Sequence, residues 1–282
     1  MPITLRILIR AARQWSANGG SRLGAALAYY ALFSIAPLLI IAVTIAGAVF
    51  GEDAARGQVE LQLSGAIGKE AAGFVQKMVE AAAQPRTGQL APWVGLGILV
   101  VGALGMFLQL RGALCTIWKL EPPRGSTMLG ILLDYTLALT MVIFCGILLI
   151  VSLATNLLVR IFEKALDAWS PNMPWHWLEL GLSFLYLTIL FAAMYRILSG
   201  NRISFAHVLY GSFIAAVLFT LGKSVLGWYV VYSSPASVYG AAGTLVVFLM
   251  WVYYSAQILY FGAELIEARR TRHEWLNGQG EK

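Results

Sequence analysis

Long uninterrupted apolar runs dominate the chain, and short segments between them hold most of the charged residues. A helix needs roughly 20 such residues to cross the hydrocarbon core of a bilayer. Because backbone polar groups in lipid must be satisfied within the segment, these runs predict helices. The runs cover residues 24–50, 93 to 111–119, 129–159, 177–198, 205–232 and 239–266. We therefore predict an all-α polytopic membrane bundle of about six transmembrane helices, with residues 1–282 forming a single membrane domain.

Three segments lie outside the apolar runs. In residues 1–22, apolar positions recur at helical spacing between arginines, which predicts an amphipathic helix. Such a helix fits either an anionic membrane surface or a plain cytoplasmic lead-in, and its arginines leave no apolar core for a cleavable signal peptide. Residues 51–92 predict an extracytoplasmic segment with one or two short amphipathic helices. Residues 268–282 form a short cytoplasmic tail.

Composition and charge agree with a membrane protein. Hydrophobic residues make up 59% of the chain and charged residues 12%, and the mean hydropathy is +0.72. Lys and Arg concentrate in the N-terminal segment, in alternate loops and after the last run, whereas the long segment 51–92 is close to neutral. Basic loops are retained in the cytoplasm, so both termini are predicted to be inside. The same bias explains the pI of about 9.4 without a nucleic-acid partner.

Enzymatic chemistry finds little support in the sequence. The three histidines and two cysteines are widely separated and lack metal-ligand spacing. There is no P-loop, no glycine-rich dinucleotide motif and no nucleophile elbow. We therefore predict a protein without enzymatic activity, cofactor or metal.

Two of the charges within apolar runs are candidate pathway residues, because a charge there is costly and is by default a candidate functional group. Lys223 lies about two thirds along the fifth run and either meets an anionic headgroup or snorkels to the outer interface. Asp134 lies shortly inside the third run and either contacts substrate or caps a helix at its cytoplasmic end.

The last run carries a polar stripe. Tyr253, Gln257, Tyr260 and Glu264 recur at intervals of four, three and four, which places them on one helix face. Such a stripe either lines a cavity or clamps helices together, with Glu264 pairing with a basic residue. Arg196, Arg111 and Arg22 lie at a suitable level for that pairing. In the first run, Tyr30, Ser34 and Pro37 lie on one helix face. Pro37 is predicted to kink the helix, because it leaves a backbone carbonyl without its hydrogen-bond partner.

Two phrases of the sequence are similar to a known family. ALAYYALFSIAPLL in the first run and VYGAAGTLVVFLMWVYYSAQILYFGAEL near the end resemble the YihY/BrkB family of bacterial inner-membrane proteins. The motif positions are Tyr29, Tyr30, Ser34, Pro37, Tyr239, Gly240, Trp251, Tyr253, Gly262, Ala263 and Glu264. The resemblance implies six spans and a role in envelope transport, including transport of lipids or lipopolysaccharide precursors. A ribonuclease label also attached to the family conflicts with the missing metal ligands.

Two main hypotheses follow. The first is a transporter that moves a lipid or another amphipathic envelope component along a polar pathway, with membrane lipids as partners. Proton or ion coupling through Asp134 and Glu264 is a variant of it. The second is a structural or regulatory scaffold in which the polar stripes hold helices together. A homo-oligomer or an envelope protein partner stays open under both hypotheses.

Overall fold

The computed structural model describes residues 3–33, 91–120, 175–200, 202–233 and 243–279, with scattered helical positions between 130 and 155. The regular structure of these residues is entirely helical, which confirms the predicted all-α membrane bundle. The helices are α1 (Ile3–Ala17), α2 (20–33), α3 (Ala91–Trp118), α4 (Trp175–Leu198), α5 (Phe205–Ser233) and α6 (Gly243–Gln279).

Three of the described helices are long and apolar enough to cross a membrane. Their candidate spans are Leu180–Leu198, Phe205–Tyr229 and Leu245–Thr271. They overlap the fourth, fifth and sixth runs. The predicted end of the sixth helix near residue 266 was wrong, because α6 continues through Arg269, Arg270 and Arg272 to Gln279. The first and third runs lie largely outside the described residues, and so does nearly all of segment 51–92. The count of six spans therefore stays a prediction.

A short connection turns α4 back into α5. Gly200 adopts a left-handed backbone with φ of 60°, and its amide donates to the Ile197 carbonyl at 3.1 Å. A glycine in this conformation is a common way to end a helix. The Arg196 guanidinium donates to the Ile203 carbonyl and so ties the two sides of the turn. Such a short loop makes α4 and α5 antiparallel neighbours.

Among the described helices, α6 packs against α1, α3 and α5. A Cβ at Gly211 of α5 would lie 2.8 Å from the Gly262 carbonyl oxygen, and Gly222 lies against Tyr254. As α5 advances from residue 211 to residue 222, the residue that it contacts on α6 moves back from 262 to 254. The two helices are therefore antiparallel. Small residues allow this close approach of two apolar helices.

These contacts gather several helix termini at one end of the molecule. The start of α5 and the ends of α3 and α4 meet the second half of α6 there. Trp118 at the end of α3 donates to the Ala263 carbonyl at 3.1 Å, Tyr195 near the end of α4 donates to the Leu259 carbonyl, and Gly211 near the start of α5 lies against Gly262. We call this the inner end, because its arginines are those that predict a cytoplasmic location.

The N-terminal helix α1 packs on the inner end of α6. Its Ile7 and Ala11 are buried against Leu265 and Ala268. The sequence predicts an amphipathic helix here. The apolar pattern of one helix does not show that part of its apolar face packs on another helix.

Candidate functional site

The polar stripe of α6 faces α1 and α2. The Trp15 indole nitrogen donates to Gln257 Oε1 at 3.1 Å, and Asn18 Nδ2 donates to Glu264 Oε1 at 2.6 Å. Gly24 of α2 lies directly against the Gln257 amide, with Tyr253 beside it. We name the polar seam the set formed by Gln14 and Trp15 of α1, Asn18 of the α1–α2 turn, and Tyr253, Gln257, Tyr260 and Glu264 of α6.

The polar seam is partly buried and incompletely hydrogen-bonded. Tyr260 is fully buried and Glu264 is 1% exposed. Within the part of the chain that the structure describes, the following buried atoms have no hydrogen-bond partner: Glu264 Oε2, the Tyr260 hydroxyl, Gln257 Nε2 and Gln14 Oε1. Unsatisfied buried polar atoms are costly and are concentrated at functional or hydrated sites. The seam therefore combines two helix-to-helix hydrogen bonds with spare polar groups.

Three consecutive motif residues hold α6 to different neighbours. Gly262 leaves room for the Tyr195 hydroxyl, which donates to the Leu259 carbonyl at 2.7 Å. The Ala263 carbonyl accepts the bond from Trp118 of α3. Glu264 accepts the bond from Asn18, after α1. The Gly-Ala-Glu motif thus joins α6 to α4, α3 and the α1–α2 turn at one level.

The partner that the structure gives Glu264 is Asn18, and none of the three arginines named from the sequence. Arg196 is engaged with the α4–α5 turn. The charges that act on Glu264 are those of Glu267 and Lys119. Glu267 is itself paired with Arg270 at 3.0 Å. The sequence predicted a basic partner for Glu264, and the fold shows instead that an amide from the α1–α2 turn reaches the carboxylate.

Lys223 lies apart from the polar seam. Its side chain is exposed on α5, one residue after Gly222, which contacts Tyr254. Glu264 is ten residues further along α6 than Tyr254, which corresponds to about 15 Å at 1.5 Å per residue. The structure therefore does not bring Lys223 and Glu264 into one site.

Some of the remaining predicted residues lie in the part of the chain that the structure describes, and others lie outside it. Tyr29 is 60% exposed, Tyr30 lies against Gly105 of α3, and Trp251 makes an edge contact with Phe219 of α5. The predicted residues outside the described part of the chain are Asp134, Ser34, Pro37, Tyr239 and Gly240.

A cleft lies between α2 and the last turns of α3. Its volume is about 510 Å³, and it is lined by Leu23, Gln109, Gly112, Ala113, Cys115, Thr116 and Leu120. The cleft is open to the surface of the described helices and is not an enclosed cavity. The lining mixes apolar side chains with an amide, a hydroxyl and a thiol. Such a surface suits a molecule with both polar and apolar parts.

The cleft residues were missed at the sequence level, although a signal was present. Gln109, Gly112, Ala113 and Thr116 stand at i, i+3, i+4 and i+7 of the second run, which places them on one helix face. The second run contains no acidic residue, and its small and neutral polar residues do not stand out by charge.

Comparisons with known proteins place the chain in a family. The family model described as virulence factor BrkB matches residues 11–281. A UPF0761 membrane protein of Haemophilus influenzae is 28% identical over 264 residues, covering 90% of this chain and 91% of the relative. One from Azotobacter vinelandii is 25% identical over 267 residues, covering 92% of this chain and 62% of the relative. No solved structure matches the chain. The match over nearly the whole chain agrees with the motif resemblance, and the chain belongs to the BrkB family of membrane proteins.

Proposed function

We propose that this protein is a transporter of the bacterial inner membrane that moves a lipid or another amphipathic envelope component. Both termini lie in the cytoplasm in this proposal, and membrane lipids are its partners. The observation that carries the proposal is the cleft between α2 and α3. A pathway for an amphipathic molecule needs a polar-and-apolar opening at headgroup depth, and a bundle that serves only as a scaffold has no use for one.

The depth of the cleft supports this assignment. Its lining extends from Gln109 to Leu120 at the end of α3. Trp118 in the same turn contacts both Ala263 and Arg270 of α6, and the candidate span of α6 ends at Thr271. The cleft therefore adjoins the boundary between the hydrocarbon core and the headgroups. An amphipathic molecule would place its polar part there.

The scaffold hypothesis also has a specific observation in its favour. The polar seam holds α1 to α6 through the Trp15–Gln257 and Asn18–Glu264 hydrogen bonds, and Gly24 packs against it without spare room. This arrangement favours a clamp for most of the stripe. The transport proposal consequently rests on the cleft of α2 and α3 and not on Lys223 or on the α6 stripe.

Gly112 offers a direct test because it lines the cleft and its Cβ position is open. Among the atoms of the described chain, none lies within 4 Å of a Cβ built there. Gly112→Leu would place an apolar side chain in the cleft from an open Cβ position and would also favour the helix. Gly181→Leu is the matched control, since its Cβ position on α4 is equally open and lies outside the cleft.

The measurement is native mass spectrometry with lipidomics on detergent-purified wild type and the two variants. We expect one lipid or amphipathic class to be enriched in the wild type above its share of the host membrane. The Gly112→Leu variant should lose that enrichment and the Gly181→Leu variant should keep it. Bulk lipid alone in all three proteins, or equal enrichment in all three, would contradict the proposal and favour the scaffold.

A further inference from the structure

The N-terminal helix α1 has three distinct faces. At 100° per residue, Ile7, Ala11 and Asn18 fall on one side of the helix, which is the side that contacts α6. The remaining surface is exposed and divides into two flanks. The apolar flank consists of Leu5, Leu8, Ile9 and Ala12. The basic flank consists of Arg6, Arg10 and Arg13, followed by Ala17.

The position of α1 along the bundle matches a membrane surface. Ile7 and Ala11 pack on Leu265 and Ala268, and the candidate span of α6 ends at Thr271. Residues so close to the end of a span lie near the boundary between acyl chains and headgroups. Helix α1 is therefore held at this boundary by its contact with α6.

The roll of α1 about its own axis is fixed by Trp15. Trp15 lies between the α6-facing side and the apolar flank, and its indole reaches Gln257. Gln257 is seven residues, or about 10 Å, deeper in the span than Glu264. The apolar flank consequently faces the bilayer, and the arginines face the headgroups and water.

We propose that α1 is an anionic-lipid-binding helix, with the apolar flank inserted at the acyl boundary and the three arginines bound to anionic phospholipid headgroups. Helices with one apolar and one basic side bind membrane surfaces in this way, because basic residues are attracted to an anionic surface. Anionic lipid is the occupant that complements both flanks, because a soluble acidic partner would leave the apolar flank in water. Unlike a free surface helix, α1 also contacts α6. Lipid binding at α1 is therefore linked to α6 through the hydrogen bonds of Trp15 and Asn18.

Two alanines provide a matched pair of probe positions. Ala12 and Ala17 are both exposed, with Ala12 on the apolar flank and Ala17 on the basic flank. Ala12→Cys and Ala17→Cys are made in the full chain with Cys115 and Cys145 replaced by alanine, and each is labelled with a fluorophore. The proteins are reconstituted into nanodiscs of phosphatidylcholine, alone or mixed with phosphatidylglycerol, that contain an acyl-chain quencher.

We expect several-fold stronger quenching at residue 12 than at residue 17 in the mixed nanodiscs. Replacing Arg6, Arg10 and Arg13 together by glutamine should lower quenching at residue 12 and should remove its dependence on phosphatidylglycerol and on salt. Equal quenching at both positions would overturn the insertion of the apolar flank. Quenching at residue 12 that is insensitive to phosphatidylglycerol would overturn the role of the arginines.

Discussion

At the scale of single residues, the buried carboxylate of Glu264 shows how a polar group is accommodated among apolar helices. One oxygen accepts a bond from Asn18, and the other has no hydrogen-bond partner among the described residues. Removing the last donor to a buried acceptor costs about 1–3 kcal/mol. We expect Asn18→Ala to lower the free energy of unfolding by that amount, measured by thermal or denaturant unfolding in detergent.

Ser16→Ala is the control for that substitution, because Ser16 is an exposed polar residue of the same helix. Surface substitutions usually stay within about 0.5 kcal/mol. A double-mutant cycle that combines Asn18→Ala with Glu264→Gln measures the coupling between the two side chains. If Asn18→Ala behaves like Ser16→Ala, the bond does not stabilise the fold.

Gly262 supports a second prediction at this scale. A Cβ added to it would collide with the Tyr195 hydroxyl and lie 3.1 Å from the Ala215 Cβ, and both neighbours are fully buried. Overpacking of a tight contact costs about 1–3 kcal/mol. Gly262→Ala should therefore destabilise the protein and weaken the Tyr195–Leu259 bond.

The exposed-site counterpart of this substitution is Gly181→Ala on α4, where no described atom lies within 4 Å of the added Cβ. Alanine in an open helix position stabilises by about 0.5–1 kcal/mol relative to glycine. Opposite signs for the two variants in the same unfolding assay are the expected result. Equal effects would show that Gly262 is not required for close packing.

At the residue scale, the sequence predicts which residues form the α6 stripe but not which residues contact it. The intervals of four, three and four are a property of one helix, so they placed Gln257 and Glu264 on one face correctly. The partners Trp15 and Asn18 lie 242 and 246 residues away in the chain, and no local pattern links them to α6. The assumption that a buried acid requires a basic partner led instead to the three arginines.

At the scale of helices, the contact between α1 and α6 can be tested with two neighbouring alanines. Ala11 is fully buried in the contact, whereas Ala12 is exposed. Ala11→Leu should push α1 off α6, at a cost of about 1–3 kcal/mol for an overpacked site. We expect faster amide hydrogen exchange in α1 while exchange in α4 and α5 stays unchanged.

Ala12→Leu adds the same three carbons to the other side of the same helix and should leave exchange in α1 as it is in the wild type. Faster exchange in both variants would mean that the effect comes from the leucine itself. Unchanged exchange in both would mean that α1 does not depend on its contact with α6.

Element boundaries were predictable where apolar runs end abruptly. Helix α4 ends at Leu198 and α5 starts at Phe205, as the runs indicate, because Gly200 and the following polar residues interrupt them. The end of α3 was uncertain between 111 and 119, since Arg111 lies inside the helix and does not stop it. The helix continues to Trp118, and Lys119 adopts a left-handed backbone with φ of 52°. Backbone geometry of this kind has no signature in hydropathy.

At the scale of the whole molecule, Lys223 and Glu264 lie at different levels of the bundle, although both were predicted to line one pathway. Lys223 is 18 residues after Phe205, and 18 residues of helix span about 27 Å. The hydrocarbon core is roughly 30 Å thick. In the proposed arrangement with both termini inside, α5 starts at the inner boundary and Lys223 lies close to the outer boundary, where a lysine side chain can snorkel to water.

This depth yields a prediction about topology. In a chain with Cys115 and Cys145 replaced by alanine, Lys223→Cys should react with a membrane-impermeant maleimide in intact spheroplasts, because thiols react as thiolates at the water interface. Ala17→Cys, exposed on the basic flank of α1, should react only in inverted vesicles. The two positions lie on opposite sides of the membrane in the proposed arrangement with both termini inside. Reaction of Lys223→Cys only in inverted vesicles would reverse the topology, and it would move the cleft of α2 and α3 to the outer leaflet.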